Sequence, residues 1–231
     1  MTRTRSTLQL LPAGELVQTG PVDHAEWNHR LLLGYISRRR FRMVLDLLGG
    51  SPVERLLEIG YGSGVFMPEL ASHCRELFGV DVHERSSDVA AILSARGIHA
   101  DLRRASATAL PFESGTFDVV VAVSALEFIE DLPAASREIV RVLRPTGRLI
   151  AVTPGQGALL DGALRLVAGV HPDEDYGDRR GRTIPTLLET FTVEAERVFP
   201  PNPAGRLLPV YRALRLAPRP WSPLPRPVRG S

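Results

Sequence analysis

Lysine is absent from this 231-residue chain: all 28 basic residues are arginine. That excludes a lysine Schiff base and the phosphate-gripping lysine of a P-loop. It reads as the codon usage of a GC-rich bacterial genome rather than as chemistry. Cysteine is nearly absent too. The single Cys74 rules out an intramolecular disulfide and a cysteine-based zinc site; in ASHC, read as the end of a helix, it is a small buried hydrophobe. Also missing is any apolar run near the roughly 18 residues of a membrane span. MTRTRSTLQLLPAGELV holds only a brief apolar patch, broken by Pro12 and Glu15, too short for a signal peptide. These absences point to a soluble, cytoplasmic protein with no membrane span. Acids are missing from residue 201 onward, where six arginines fall; before it 28 − 6 = 22 arginines face 26 acids, a balance of −4. A mildly acidic body argues against a nucleic-acid groove, and the basic end reads as solvated.

What is present alternates between helix and strand signals. Residues 1–20 read as loose. HAEWNHRLLLGYISRRRFRMVLDLL, residues 24–48, predicts one helix, with Leu32, Ile36, Val44 and Leu48 spaced by multiples of four; Gly49, Gly50 and Pro52 stop it. The run Arg38, Arg39, Arg40 with Arg42 reads as a solvated face of that helix. Strands follow at 55–60, 76–82, 98–105 and 117–126, the last almost wholly apolar as a central parallel strand must be. Helices are expected in VFMPELASHC, in SDVAAILSARG (closed by Gly97) and in AASREIVRVL. The turn RPTG feeds a fifth strand, RLIAVTP. Residues 157–170 read as helix, HPDEDYGDRRGRT as a charged loop and IPTLLETF as a further helix turn. FTVEAERVF and LLPVYRALRLA then pair as a hairpin across PPNPAG. Three regions result: an N-terminal extension and lid helix (1–50), a main domain (51–216) and a disordered Pro/Arg-rich tail (217–231). The order predicts an α/β fold, doubly wound, with a mostly parallel sheet ending in an antiparallel hairpin and helices on both faces.

The chemistry concentrates where the first strand ends, in LLEIGYGSGVF. Glu58 precedes glycines at alternate positions, Gly60, Gly62 and Gly64. Such a strand-turn-helix lets backbone N–H groups approach a ligand closely. A dinucleotide fingerprint needs G-x-G-x-x-G, and Val65 stands in the place of its third glycine. Residues 53–154 resemble the core of class I S-adenosylmethionine-dependent methyltransferases, in particular the small-molecule group that includes menaquinone and ubiquinone methyltransferases. Four motifs carry the resemblance in order: LLEIGYGSG, LFGVDVHE, ATALPFESGTFDVVVAVSALEFI and REIVRVLRPTGRLIAVTP.

The resemblance implies a Rossmann-like seven-stranded sheet and S-adenosylmethionine as cofactor. It places Gly60, Gly62, Gly64 and Tyr61 against the methionine and ribose, and Glu58 beneath them, favouring the amino group. Asp81 and Val82 follow the second strand; Asp81, 21 residues after Gly60, would accept from both ribose hydroxyls. Ser106, with Ala107 after it, departs from the acid this family commonly sets four residues before LPF to meet the adenine amine. Ser124 would form the floor beneath the sulfonium. Phe128 takes a place where relatives often carry histidine, leaving Glu127 as a base candidate or a solvated helix-start acid. His24, His29, Trp27 and Tyr35 in DHAEWNHRLLLGY, and His171 and Tyr176 on the charged loop, are the candidates facing a small-molecule methyl acceptor. No metal is called for, and monomer or homodimer both stay open. Two other readings remain: an NAD(P)-dependent oxidoreductase, and a non-catalytic cofactor-binding protein of the same fold.

Overall fold

The structure is a computed structural model and describes residues 7–20, 25–29, 31–155 and 179–219. Seven strands form one sheet: β1 (Val53–Ile59), β2 (Cys74–Asp81), β3 (Ala100–Arg104), β4 (Phe117–Val123), β5 (Leu143–Pro154), β6 (Phe191–Phe199) and β7 (Tyr211–Pro218), in the order β3-β2-β1-β4-β5-β7-β6. The first five pair in parallel, and β7 lies antiparallel between β5 and β6. The expected architecture is met.

Side-chain alternation along the central strands assigns the two faces. Val119, Val121 and Val123 of β4, with Leu56, Ile150 and Val152, point to one core; Val120 and Ala122, with Leu57, Leu149 and Ala151, point to the other. On the first face pack α1 (Leu31–Leu48), α2 (Met67–Ala71) and α3 (Ser86–Ala95), through Phe41, Val44, Leu47, Met67, Leu70, Val89 and Leu93. On the second pack α4 (Leu132–Val142) and α5 (Arg179–Thr190), through Leu132, Ala135, Ile139 and Leu187. The order reverses between β1 and β4, so a crevice opens at their C-terminal ends.

Several local expectations are corrected. Residues 7–20 are not loose. Leu11 is fully buried and its N–H donates to the Val65 carbonyl (3.2 Å); Gln9 N–H donates to Glu69 Oε2 (2.6 Å); Arg96 forks onto Glu15 with two bonds of 2.6 Å. The helix expected over residues 24–48 is two pieces, a 3₁₀ turn at Ala25–His29 followed by α1. Gly34 lets them touch, because a Cβ there would lie 2.6 Å from the Asn28 carbonyl oxygen. Arg38, Arg39, Arg40 and Arg42 are half-buried rather than solvated, with Arg39 over the Phe199 ring and Arg38 donating to the Asn28 carbonyl.

Cys74 does not end a helix: it opens β2 opposite Val53, and burial pushes its thiol up to about 11. The RPTG segment lies inside β5, as a register shift opposite β4, because pairing starts at Leu143 directly after α4. The hairpin contains a short helix, α6 (Pro203–Leu207), and β7 starts at Tyr211. The expected helix at 157–170, His171, Tyr176, His24 and residues 220–231 of the tail lie outside the described residues.

Candidate active site

One cavity of about 810 Å³ occupies the crevice, with walls from the ends of β1, β2 and β4, from α1 and α5, and from Glu130 and Asp131 just ahead of α4. Its floor is the glycine turn. Gly60 sits at φ +74°, where a Cβ would lie 2.4 Å from the Ala125 Cβ; Gly64 sits at φ +72°, facing Val89 at 2.8 Å. Only glycine meets both the left-handed backbone and the close approach. Ser124 has the same handedness at φ 53°, the single positive-φ non-glycine among the described residues. Its N–H is held by the Val152 carbonyl (2.8 Å), while its Oγ is buried without a partner. Strain of this kind, held by surrounding structure, gathers at functional sites.

Asp81 stands at the end of β2. Its Oδ2 accepts the Gly62 N–H (2.8 Å) and its Oδ1 the Val82 N–H (2.7 Å). An ionised carboxylate offers about four acceptor positions, so capacity remains for ribose hydroxyls. Val82 is exposed at the cavity edge. Tyr61 lines the cavity, with its ring buried edge-on to His83 at 5.0 Å and lying over Gly79. Ser106 and Ala107 border the cavity; the Ser106 hydroxyl is tied to Thr108 Oγ1 (2.7 Å) and accepts the Thr108 N–H (3.2 Å). The loop after them is stapled to α4. Arg141 donates to the Leu110 and Phe112 carbonyls (2.9 and 2.7 Å), and Glu138 accepts the Leu110 N–H (2.9 Å).

Two ionisable groups, Glu58 and Arg40, line the cavity near the turn. Glu58 is buried at 3% exposure and its Oε2 has no partner. Burial first, then the Asp81 charge, pushes its carboxyl up to about 8, against the pull of the Arg40 guanidinium. Arg40 lines the same cavity from α1, and its Nε is buried without a partner. The structure therefore sets Glu58 and Arg40 in the wall of one cavity, and corrects the reading of Arg40 as part of a solvated face. The signal was available: position 40 completes the stripe Leu32, Ile36, Val44, Leu48 at intervals of four, so Arg40 belongs to the packed face. His83, Arg180 and Tyr211 also line the cavity and were not singled out.

Among the described residues, the candidates for proton removal are not gathered there. Tyr35 is 55% exposed and sits edge-on to Phe199 at 6.2 Å, and His29 is exposed. Nothing is described of the Trp27 side chain. Glu127 is not a solvated helix-start acid. It is fully buried with neither oxygen hydrogen-bonded, burial pushes it up to about 7, and it lies behind the cavity wall rather than in it.

The family described as "Methyltransferase domain" matches residues 57–151, the span from β1 to β5 that carries the turn, Asp81 and Ser124. Residues 57–151 are a class I S-adenosylmethionine-dependent methyltransferase domain. A demethylmenaquinone methyltransferase of Beutenbergia cavernae is 34% identical over 111 residues, covering 47% of this chain and 44% of that protein. The chain thus spans about half the length of the curated relatives of that name. Among solved structures, PH0226 of Pyrococcus horikoshii superposes with TM-score 0.63 at 22% identity, over 79% of this chain and 91% of that one. The N-methyltransferase NodS of Bradyrhizobium japonicum, solved with S-adenosyl-L-homocysteine, gives 0.62 at 21% identity, over 88% and 95%. At such identities these structures establish the fold. They place the antiparallel β5-β7-β6 ending of this methyltransferase sheet among Rossmann-like relatives.

Proposed function

We propose that the chain transfers a methyl group from S-adenosylmethionine to a small-molecule acceptor by in-line displacement. The observation that carries this reading is the pair of orphaned buried groups at the glycine turn: Glu58 Oε2 and Arg40 Nε, one acceptor and one donor in the wall of a single cavity. Buried polar groups are normally hydrogen-bonded. An amino-acid zwitterion satisfies both, with ammonium toward Glu58 and carboxylate toward Arg40. Asp81 would take the ribose hydroxyls, Val82 and Ala107 would flank the adenine with Ser106 at its amine, and Ser124 would close the floor. Tyr61 would act from beneath, by setting the shape of the turn.

The bound cofactor supplies an electrophilic methyl on a sulfonium, with a neutral thioether as leaving group. The protein's part is alignment and water exclusion. Phe128, Ile129, Val210 and Tyr211 give the rest of the cavity an apolar, aromatic wall, and Arg180 adds one guanidinium. That composition fits a small acceptor with an apolar body. We assign no general base. Among the described residues, His29, Tyr35 and Glu127 do not line the cavity, and His24, His171 and Tyr176 lie outside those residues. No described helix is long and apolar enough to cross a membrane.

The test is transfer itself: methyl-labelled cofactor, the full chain and a small-molecule extract of the source organism. Label should move to a low-molecular-weight product. Binding of S-adenosylhomocysteine with no transfer to any extract component would favour a cofactor-binding protein without catalysis.

A further inference from the structure

His83 lies two residues beyond Asp81, and the two side chains grip the same glycine. Asp81 Oδ2 accepts the Gly62 N–H at 2.8 Å, and the His83 ring reaches the Gly62 carbonyl with Nε2 at 3.0 Å. The imidazole is 7% exposed, its Nε2 stands 3.9 Å from Asp81 Oδ2, and it packs edge-on against Tyr61, so three sides are fixed. The tautomer follows from the other nitrogen. The Arg85 N–H donates to Nδ1 at 3.0 Å, so Nδ1 carries no proton and Nε2 carries it. Nε2–H therefore donates to the Gly62 carbonyl. Gly62 is at φ +52°, a conformation its own flexibility does not enforce.

We propose that His83 is a positioning residue for the cofactor: a latch that, with Asp81, holds Gly62 by both its N–H and its C=O and so fixes the turn in its binding shape. The idea rests on the cofactor reading above for its consequence, and on the apo geometry for its existence. The latch joins the ends of two strands, because Gly62 follows β1 while Asp81 ends β2 and His83 follows it. Preorganisation of this kind reduces the ordering that a ligand must otherwise impose.

Two substitutions divide the roles of the two nitrogens. His83→Gln keeps a donor at the reach of Nε2; His83→Asn keeps an acceptor at the reach of Nδ1 but cannot touch Gly62. Both are compared with the parent chain by thermal melting, by calorimetric titration with S-adenosylhomocysteine, and by the amide resonance of Ser63, which shares a peptide group with the Gly62 carbonyl. The Gln variant should bind within about threefold of the parent and keep a sharp Ser63 amide in the ligand-free state. The Asn variant should bind about tenfold more weakly and broaden that resonance while melting cooperatively. The reverse ranking would put the role of His83 at the helix start and overturn the latch; equal affinities in all three chains would overturn it too. A parent chain that binds no S-adenosylhomocysteine would defeat the cofactor reading, and the Ser63 amide would still decide the latch.

Discussion

Glu58 and Glu127, both buried carboxyls, tie the stability of the fold to pH. A carboxyl whose folded pKa stands above its unfolded value binds its proton more tightly when folded, so its contribution is lost as pH rises. With Glu58 at about 8 and Glu127 at about 7, against an ordinary 4.5, the ligand-free protein should lose stability between about pH 5 and pH 8. The carboxylates held low by arginine (Glu15, Glu138 and Glu194) act in the opposite direction, but their contribution is complete above the ordinary carboxylate range. Melting temperature measured across that window should fall, and Glu58→Gln should flatten the fall. A rising curve in the parent chain would mean that these acids are solvated. Asp81 carries two duties. Asp81→Ala should weaken S-adenosylhomocysteine binding by about 1.5–3 kcal/mol, tenfold to a hundredfold. Because Oδ2 also holds the Gly62 N–H, the ligand-free protein should lose about 1 kcal/mol as well. Affinity left intact would remove Asp81 from the ribose.

At the scale of elements, legibility tracked how local each signal is. β4 was readable because FDVVVAV needs burial on both faces, and α3 because Gly97 closes it. The strap at 7–20 was not readable. LQLLP is too short for periodicity, and its partners Val65 and Glu69 are more than fifty residues away. Arg40 was legible in principle and was misread, because four arginines in five positions look like a solvated face until the stripe at intervals of four is followed through them. Cys74 failed for a tertiary reason: the pairing of Val53 with β2 ends α2 earlier than its propensity does. The strap changes what a truncation means. Leu11 sits in the core beside the Gly64 turn, where a Cβ on Gly64 would come within 3.8 Å of Leu11 Cδ1. Leu11→Ala should therefore cost about 2–5 kcal/mol in denaturant unfolding. Removing residues 1–20 should weaken cofactor binding along with stability. A truncated chain that keeps full affinity would show that the strap merely rests on the domain.

For the whole molecule, the question is which ligand this doubly wound sheet selects, since the fold alone admits dinucleotides too. Asp81 does not discriminate, because both ligand classes carry a ribose. The glycine turn discriminates in part: Val65 is buried where a dinucleotide turn needs its third glycine. The stronger argument is charge. A pyrophosphate at this turn would meet Asp81 and leave Glu58 protonated and unused, whereas in the proposed pose a methionine zwitterion would set its ammonium on Glu58, favouring the ionised carboxyl, and its carboxylate on Arg40. Such a ligand would join the ends of β1 and β2 to α1 and so stabilise the folded state by mass action, about 2.7 kcal/mol at a hundredfold excess over Kd. S-adenosylhomocysteine should therefore raise the melting temperature by several degrees while NAD at the same concentration leaves it unchanged. Methylthioadenosine separates the contributions, because it has the adenosine and thioether but no zwitterion. It should bind at least about tenfold more weakly than S-adenosylhomocysteine, and Arg40→Gln should shrink that gap by weakening only the latter. Equal binding of the two thioethers would leave Glu58 and Arg40 without a ligand, and stabilisation by NAD would reverse the choice of cofactor altogether.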